Sequence, residues 1–398
     1  MRMNDKKAMF KAFVDEAREI YGPDFVPLHR PVFEGNEMDY LRECVESNFV
    51  SSMGSFVTRF EEEIATFTGA KFAVATVNGT SALHIAIILA GVNSGDEVIS
   101  QPLTFIATCN AISYVGAYPV FVDVDRDTMG LSPIALRLFL ENNTFSKGGE
   151  LYNKSSLRRV AACVPMHTYG NPCRIKEIES ICTEWGIPLI EDAAESLGSY
   201  AGHQHTGTVG AMGIFSFNGN KIITSGGGGM IVTNDAELAK RAKHLTTTAK
   251  LSHSTEFVHD EIGYNYRMPG LCAALGLAQM EKLGDFLIIK SAVAKKWHDF
   301  FSSHGVLTNN ALKGDISNHW FNSVTLDSKT VRDEFLEYSN SEGIMTRPFW
   351  ELMPRLKMFK NCQSDSLENS KWLLDHVVAI SSSVPDGALN NLKMVEKK

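Results

Sequence analysis

Four features of the sequence could do chemistry, and each follows a predicted β-strand. They are the turn at residues 78–81 (Asn-Gly-Thr-Ser), the aromatic Phe105, the carboxylate Asp192 and the amine Lys221. Backbone N–H groups at the start of a helix can hold a phosphate, and nearby hydroxyls add donors. An aromatic ring can stack on a flat ligand, a buried carboxylate calls for a cationic partner, and a lysine can form an imine with an aldehyde.

Each feature taken alone also has an ordinary structural explanation. The turn at 78–81 could be a plain helix cap, Phe105 could pack in the core, and Asp192 could cap a helix or form a structural ion pair. Most lysines are solvated surface residues. Lys221, however, lies between an apolar strand and the run of four glycines at 226–229, where small residues allow a ligand to approach closely.

The order of the four features is more specific than any one of them, because they follow successive strands of one predicted sheet. Together they supply backbone N–H groups that bind an anion, an aromatic ring that stacks on a flat ligand, a carboxylate that keeps a ring nitrogen protonated, and an amine that holds an aldehyde. These are the requirements of pyridoxal 5'-phosphate. The sequence therefore predicts a pyridoxal phosphate site.

The elements that position these residues form a clear pattern. Short apolar, β-branched runs alternate with helical patterns, and seven strands are predicted, at 72–77, 97–100, 118–122, 159–165, 187–192, 214–217 and 230–233. Such alternation predicts an α/β fold with a mostly parallel sheet and helices on both faces. Ligands of these sheets bind beyond the carboxyl ends of the strands, where the four features lie.

The length of 398 residues predicts two or three domains. We expect residues 1–250 to form N-terminal helices and a large α/β domain. From about residue 251 the pattern becomes irregular, then helical, then mixed. We therefore expect residues 251–398 to form an interface segment and a smaller C-terminal α+β domain.

Composition excludes several classes of function. The chain has 38 basic and 46 acidic residues, a net charge of −8 that disfavours nucleic acid as a partner. The uncharged stretch between Glu97 and Asp123 contains Pro102, Gly116 and Pro119, so we interpret it as buried structure of a soluble protein and not as a membrane span.

The metal-binding residue types are scattered. Seven cysteines without a Cys-x-x-Cys pair favour reduced thiols in the cytoplasm and no zinc site. His203 and His205 lie in a polar loop bounded by glycines, which favours a solvated turn over a metal ligand. We therefore expect no metal.

Five motifs occur in an informative order: NGTSALH, PLTFIAT, EDAAESLG, SFNGNK and NYRM. Together they resemble those of the DegT-type sugar aminotransferases, and the similarity covers nearly the whole chain. The resemblance implies the type I (aspartate aminotransferase) fold and a homodimer with shared active sites. It implies that Lys221 is the Schiff-base lysine and that Asp192 pairs with the pyridinium nitrogen of the cofactor.

The resemblance also implies the other cofactor contacts. Gly79, Thr80 and Ser216 would hold the phosphate, and Phe105 would stack on the ring. Asn265 of the NYR motif would reach the phosphate from the partner subunit. Glu195 stands beside the ring hydroxyl, where the family usually has Gln or His.

Four outer segments narrow the resemblance: VPLHRPVFEGNE, FVSSMGSFVTRFE, FNGNKIITSGGGGMIVT and TRPFWELM. They are most similar to the branch that transfers an amino group from L-glutamate to UDP-linked 4-keto-6-deoxy-N-acetylhexosamines. Substrate contacts are then expected at Ser52, Met53, His167, Tyr169 and Arg267. Arg267 could meet the donor carboxylate or the diphosphate, or form an interface ion pair.

Three alternatives remain at this point. Perosamine-forming relatives act on GDP sugars and share the core motifs, although their outer segments match less well. Related sugar dehydratases replace the lysine with histidine, so Lys221 favours transfer of an amino group. A regulator that only binds the cofactor is the third alternative, and no motif supports it.

Overall fold

The computed structural model describes residues 3–52, 54–252 and 255–390. The helices are α1 (Met3–Tyr21), α2 (Glu37–Glu46), α3 (Ser55–Thr68), α4 (Gly79–Leu89), α5 (Ile106–Tyr114), α6 (Pro133–Asn143), α7 (Ile175–Trp185), α8 (Ala236–Thr246), α9 (Gly270–Ser303), α10 (Lys329–Ser341) and α11 (Glu368–His376). The strands are β1 (Phe72–Thr76), β2 (Glu97–Ser100), β3 (Tyr118–Phe121), β4 (Thr144–Lys147), β5 (Glu150–Asn153), β6 (Val160–Val164), β7 (Ile190–Asp192), β8 (Tyr200–Ala201), β9 (Gln204–His205), β10 (Met212–Ser216), β11 (Gly229–Thr233), β12 (Leu307–Thr308), β13 (Asn322–Thr325), β14 (Arg347–Pro348) and β15 (Val377–Ile380).

The central sheet of the large domain has the order β1-β11-β10-β7-β6-β2-β3. Ladders join β1, β11, β10 and β7 on one side and β6, β2 and β3 on the other. Parallel bridges from Cys163 to Leu189 and from Met166 to Asp192 join β6 to β7 and its flanks. Strand β11 runs antiparallel to both of its neighbours, and the other pairs from β10 to β3 are parallel. The mostly parallel sheet predicted from the sequence is therefore confirmed.

Both faces of this sheet are buried, which explains why its strands are almost entirely apolar. Successive residues of a strand point to opposite faces. Val98 accordingly packs in a core cluster with residues of α4, α5 and α8, whereas its neighbour Ile99 packs in a second cluster with residues of α6 and α7. Each apolar strand therefore packs against a helical layer on both of its faces.

A second, antiparallel sheet lies in the C-terminal part, with the order β12-β13-β15-β14. Helix α1 belongs with it in space, because Phe13 is fully buried against Trp297 of α9 and Phe335 of α10, with ring centroids 5.2 and 4.8 Å apart. The same buried core cluster includes Phe60 of α3 and Phe215 of β10, so α1 belongs to a core that is shared with the large domain. The boundary at residue 250 stays a prediction.

None of the helices in the described ranges combines the length and the apolar character that crossing a bilayer requires. The uncharged stretch near residues 97–123 instead forms β2, α5 and β3. All seven cysteines are free thiols, and five of them are buried.

Candidate active site

A cavity of about 560 Å³ opens at the carboxyl ends of the parallel strands. Strand β1 leads to it through the turn at residues 78–81, and β7 and β10 end in it at Asp192 and Ser216. Its lining includes these residues that the sequence predicted: Gly79, Thr80, Phe105, Tyr169, Asp192, Glu195, Ser216 and Lys221. The four chemical features are therefore brought together as the strand-end argument requires.

The turn between β1 and α4 forms a cup for an anion. Asn78 caps α4, and its side-chain oxygen accepts a hydrogen bond from Ser81 N at 2.8 Å. A Cβ on Gly79 would lie only 3.0 Å from the Cβ of Ser216. Glycine thus allows the helix start to approach the end of β10, where backbone N–H groups and hydroxyls converge. A phosphate suits such a helix N-terminus.

Asp192 is a buried carboxylate that faces the cavity, with 3% of its surface exposed. Its Oδ2 accepts from the Thr108 hydroxyl at 2.6 Å, and its Oδ1 accepts from Ala194 N at 3.2 Å. Burial raises the pKa of Asp192, and these hydrogen bonds counteract part of that rise. Asp192 forms no ion pair with the described residues, so a cationic ring nitrogen would supply its missing partner.

Lys221 points its amine into a confined space. Its Nζ lies 3.6 Å from Oε1 of Glu195 and 4.0 Å from the ring centroid of Trp320, and its side chain is 11% exposed. The indole N–H of Trp320 donates to the carbonyl of Asn220 at 2.6 Å. Trp320 therefore both covers the amine and fixes the backbone immediately before it.

Glu195 is the second buried carboxylate of the cavity. Its Oε2 accepts from the backbone N–H of Tyr169 at 2.9 Å. Burial raises the pKa of Glu195 to about 7, and the positive charge of Lys221 works against that rise. Tyr169 itself has a φ of 59°, a left-handed conformation that is uncommon outside glycine. The strained residue is thus the one whose backbone N–H donates to Glu195.

Aromatic side chains form part of the cavity wall, and four of them, Trp320, Phe321, Phe349 and Trp350, were not predicted from the sequence. Phe349 stacks on Tyr169 with centroids 5.0 Å apart, and Trp350 meets Phe105 edge to face. Trp320 and Phe321 complete the wall. The segment TRPFWELM was noted only for its resemblance. The cluster of aromatic residues in it and in HWF at 319–321 was the available signal.

Four predicted residues besides His167 do not line this cavity or are not described. Ser52 is half-buried and lies outside it, and Met53 is outside the described residues. Asn265 is exposed and bridges to Thr247, whereas Arg267 is half-buried and bridges to Thr76 at the end of β1. The NYR segment thus runs beside the strand that leads to the phosphate turn.

His167 is placed beneath the site, and this corrects the prediction that it contacts the sugar. Its ring is fully buried, with Nε2 3.0 Å from Oε2 of Glu191 and Nδ1 accepting from the backbone N–H of Cys173 at 3.2 Å. Glu191 also accepts three backbone N–H bonds from residues 207, 209 and 210, at 2.7 Å each. The pair supports the loop around β7.

His205 is also placed differently from the expected solvated turn. It is 2% exposed, its Nε2 accepts from Gly198 N at 2.8 Å, and its ring packs edge to face on Phe215. The polar loop folds back onto the sheet and buries this histidine. Local composition did not reveal that contact.

The cavity fits pyridoxal phosphate on features of this chain alone. The glycine-dependent cup, the buried carboxylate of Asp192 and the confined amine of Lys221 all line one cavity. With the sheet order described above, they define a pyridoxal phosphate enzyme of fold type I.

Comparisons with known proteins agree with this assignment. Residues 31–387 match the DegT/DnrJ/EryC1/StrS aminotransferase family. The chain is 35% identical over 335 residues to the GDP-perosamine synthase of Escherichia coli O157:H7. The aligned region is 84% of this chain and 87% of that protein. It is 31% identical to the UDP-4-amino-4-deoxy-L-arabinose–oxoglutarate aminotransferase of Shewanella sediminis, over 72% of this chain and 71% of the relative.

Solved structures show the same fold. The aminotransferase TlmJ from Streptoalloteichus hindustanus superposes with a TM-score of 0.82 at 25% identity, over 92% of this chain and 96% of that one. DesI, crystallised with its TDP-sugar product, superposes with a TM-score of 0.80 at 25% identity, over 94% and 92% of the two chains. The chain belongs to the DegT/DnrJ/EryC1/StrS aminotransferase family, and it is a pyridoxal phosphate-dependent aminotransferase.

Proposed function

We propose that this enzyme transfers an amino group from L-glutamate to C4 of a UDP-linked 4-keto-6-deoxy-N-acetylhexosamine, giving a 4-amino-4,6-dideoxy sugar. A nucleotide sugar as acceptor is supported by the relatives, whose names refer to GDP-perosamine, a UDP-amino sugar and a TDP sugar. The choice of UDP and of C4 rests on the outer segments of the sequence. The observation that carries the reaction class is the convergence of Lys221 and Asp192 with a phosphate cup in one cavity.

The cofactor, when bound, supplies an aldehyde that accepts the amino group and an electron-poor ring that stabilises negative charge at the neighbouring carbon. Lys221 would hold the cofactor through its aldehyde carbon, and its free amine would carry the α-proton of the amino donor, as a general base and then an acid. Asp192 would keep the ring nitrogen protonated, which keeps the ring electron-poor.

The other residues orient the groups and exclude water. Gly79, Thr80 and Ser216 would hold the phosphate at the start of α4, and Phe105 would cover the ring. Trp320 shields Nζ of Lys221 from solvent, since its ring centroid lies 4.0 Å away. A dry site strengthens the electrostatic interactions of the two buried carboxylates.

We further propose a homodimer in which Asn265 of the partner subunit reaches the phosphate. Asn265 is exposed and lies outside the cavity of its own chain, which supports a role across an interface. The cytoplasm as the location stays a prediction from the reduced thiols.

The first experiment tests Lys221. We expect Lys221→Ala to lower turnover by roughly 10²-fold or more, because the general acid–base group is removed. The visible absorbance of the bound cofactor should also stop responding to glutamate within the turnover time. Lys329→Ala, on the exposed end of α10, is the matched control and should leave both readouts unchanged. A Lys221→Ala enzyme with wild-type turnover would refute the assignment.

The second experiment tests the acceptor. Purified enzyme is mixed with glutamate and a panel of UDP-, GDP- and TDP-linked 4-keto sugars, and the products are identified by mass. We expect the amino product from the UDP-linked N-acetylhexosamine. Product only from the GDP sugar would favour the perosamine alternative, loss of water without amination would indicate a dehydratase, and no cofactor response to glutamate would indicate a regulator.

A further inference from the structure

Arg347 brings a second positive charge to the cavity. It begins β14 in the C-terminal sheet, and its side chain lines the same cavity as Lys221 and Asp192. Among the described residues of the lining, the cationic side chains are Lys221 and Arg347. Lys221 is used to hold the cofactor in the proposed reaction. Arg347 is therefore the positive group that this chain offers to an anion entering with a substrate.

The guanidinium of Arg347 is held in place through one of its three nitrogens. Nη1 donates to Oδ1 of Asn340 at 3.0 Å and to the carbonyl of Thr346 at 2.9 Å. Asn340 is itself fixed, because its Nδ2 donates to the carbonyl of Leu336 at 2.7 Å and to Oγ1 of Thr346 at 2.9 Å. Nε and Nη2 of Arg347 make no hydrogen bond or ion pair with the described residues. One edge of an oriented guanidinium is thus left for a ligand.

This edge has the geometry that recognises an oxyanion. Nε and Nη2 carry parallel N–H donors, which bind a carboxylate or a phosphate through two hydrogen bonds. A guanidinium also stays charged at any working pH. Both substrates of the proposed reaction carry such a group, because glutamate has carboxylates and a nucleotide sugar has a diphosphate.

The position of Arg347 distinguishes between these two anions. Arg347 is exposed, whereas the side chain of Lys221 is 11% exposed, so Arg347 lies at the mouth of the cavity and the amine lies inside it. The reacting carbon must come to the amine. In a sugar that reacts at C4 the diphosphate is attached at C1, across the ring, and so extends toward the mouth.

We propose that Arg347 binds an oxyanion of the incoming substrate through Nε and Nη2, and that this oxyanion is the diphosphate of the nucleotide sugar. The inference rests on the proposed function and names the group of this chain that recognises the acceptor. Arg267, the arginine predicted from the sequence for such a contact, does not line the cavity of its own chain.

The experiment compares Arg347→Ala with the wild type, both loaded with cofactor. UDP, GDP and TDP are each titrated into the two proteins by calorimetry. We expect Arg347→Ala to weaken the binding of the preferred nucleoside diphosphate roughly tenfold, because a charge-assisted pair of hydrogen bonds at a partly exposed site is lost. Arg347→Lys keeps the charge without the paired donors and should lose less affinity.

Steady-state kinetics provide the second measurement. The KM for the keto sugar should rise by about the same factor in Arg347→Ala while kcat changes little, since the contact is made equally before and during the reaction. Arg137→Ala is the matched control, because Arg137 pairs with Glu184 on the surface of α6. It should change neither the affinity nor the KM.

The outcomes separate the two sources of the anion. A higher KM for glutamate, with unchanged affinity for the nucleoside diphosphates, would assign Arg347 to the donor carboxylate and overturn its assignment to the diphosphate. Wild-type affinities and KM values in Arg347→Ala would overturn the proposal altogether. Preferred binding of GDP or TDP that still depends on Arg347 would refute the choice of UDP in the proposed function and leave this inference intact.

Discussion

Asp192 shows at the scale of one residue how the protein prepares a site for a cation. The carboxylate is buried without an ionic partner among the described residues, and Thr108 and Ala194 orient its two oxygens. A buried carboxylate of this kind is costly unless a positive group binds beside it. The proposed partner is the protonated ring nitrogen of the cofactor.

Asp192→Asn tests this role. The amide keeps the shape of the side chain but removes the negative charge, so we expect turnover to fall by roughly 10²–10³-fold. The measurement is the steady-state rate at saturating glutamate, with cofactor content determined separately. Thr108→Val, which removes only the 2.6 Å hydrogen bond to Oδ2, should lower turnover less. Equal losses in the two variants would contradict the importance of the charge.

Glu195 makes a second prediction at the residue scale, for the cofactor-free protein. Its pKa is raised from 4.5 in the unfolded chain to about 7 in the folded one. The folded state therefore holds the proton more tightly, and stability falls as pH rises from about 4.5 to 7. Glu195→Gln removes this loss and should stabilise the protein at pH 8 by about 1–3 kcal/mol, but by less than about 1 kcal/mol at pH 5.

The measurement is urea unfolding of the cofactor-free proteins at both pH values. A variant whose stabilisation is the same at pH 5 and pH 8 would show that ionisation of Glu195 is not responsible.

Helix α4 illustrates the scale of an element, because its first residue joins it to the end of β10. A Cβ on Gly79 would lie 3.0 Å from the Cβ and 3.3 Å from the Oγ of Ser216. The helix start would have to move away, and the phosphate cup would widen.

We expect Gly79→Ala to weaken cofactor binding about tenfold, a loss of about 1.4 kcal/mol. Equilibrium titration with pyridoxal phosphate measures the change. Gly284→Ala is the control, because a Cβ there has open space within α9. That variant should bind the cofactor normally and gain up to about 1 kcal/mol of stability. Unchanged affinity in Gly79→Ala would mean that the cup tolerates a methyl group.

At the scale of the whole molecule, the proposed sharing of sites between subunits can be tested by mixing two impaired variants. In a mixed dimer of Lys221→Ala and Asn265→Ala chains, one site carries both changes and the other carries neither. Co-refolding the two variants should therefore restore activity to well above that of either parent. Mixing that restores nothing would place Asn265 and Lys221 of one chain in the same site, or Asn265 in no site.

The sequence predicted the sheet well because each of its strands is a short apolar run that can be identified from its own residues. The helix predicted at 175–185 coincides with α7, and the strand predicted at 97–100 coincides with β2. Helix α6 and the β4–β5 hairpin were not predicted. The strands of the hairpin are short and largely polar, so their pattern is weak. Helix α6 has an apolar content similar to that of α7 and was missed despite it.

By itself, the sequence determined the alternation of strands and helices, and with it the edge of the sheet where the phosphate turn, Asp192 and Lys221 meet. Only the tertiary structure decided that Trp320, 99 residues beyond Lys221, covers its amine, that Glu195 faces that amine, and that His167 lies beneath the site. The physical reason is distance along the chain. The spacing of apolar residues and the turn residues act over a few positions, whereas burial and ion pairing depend on how distant segments pack.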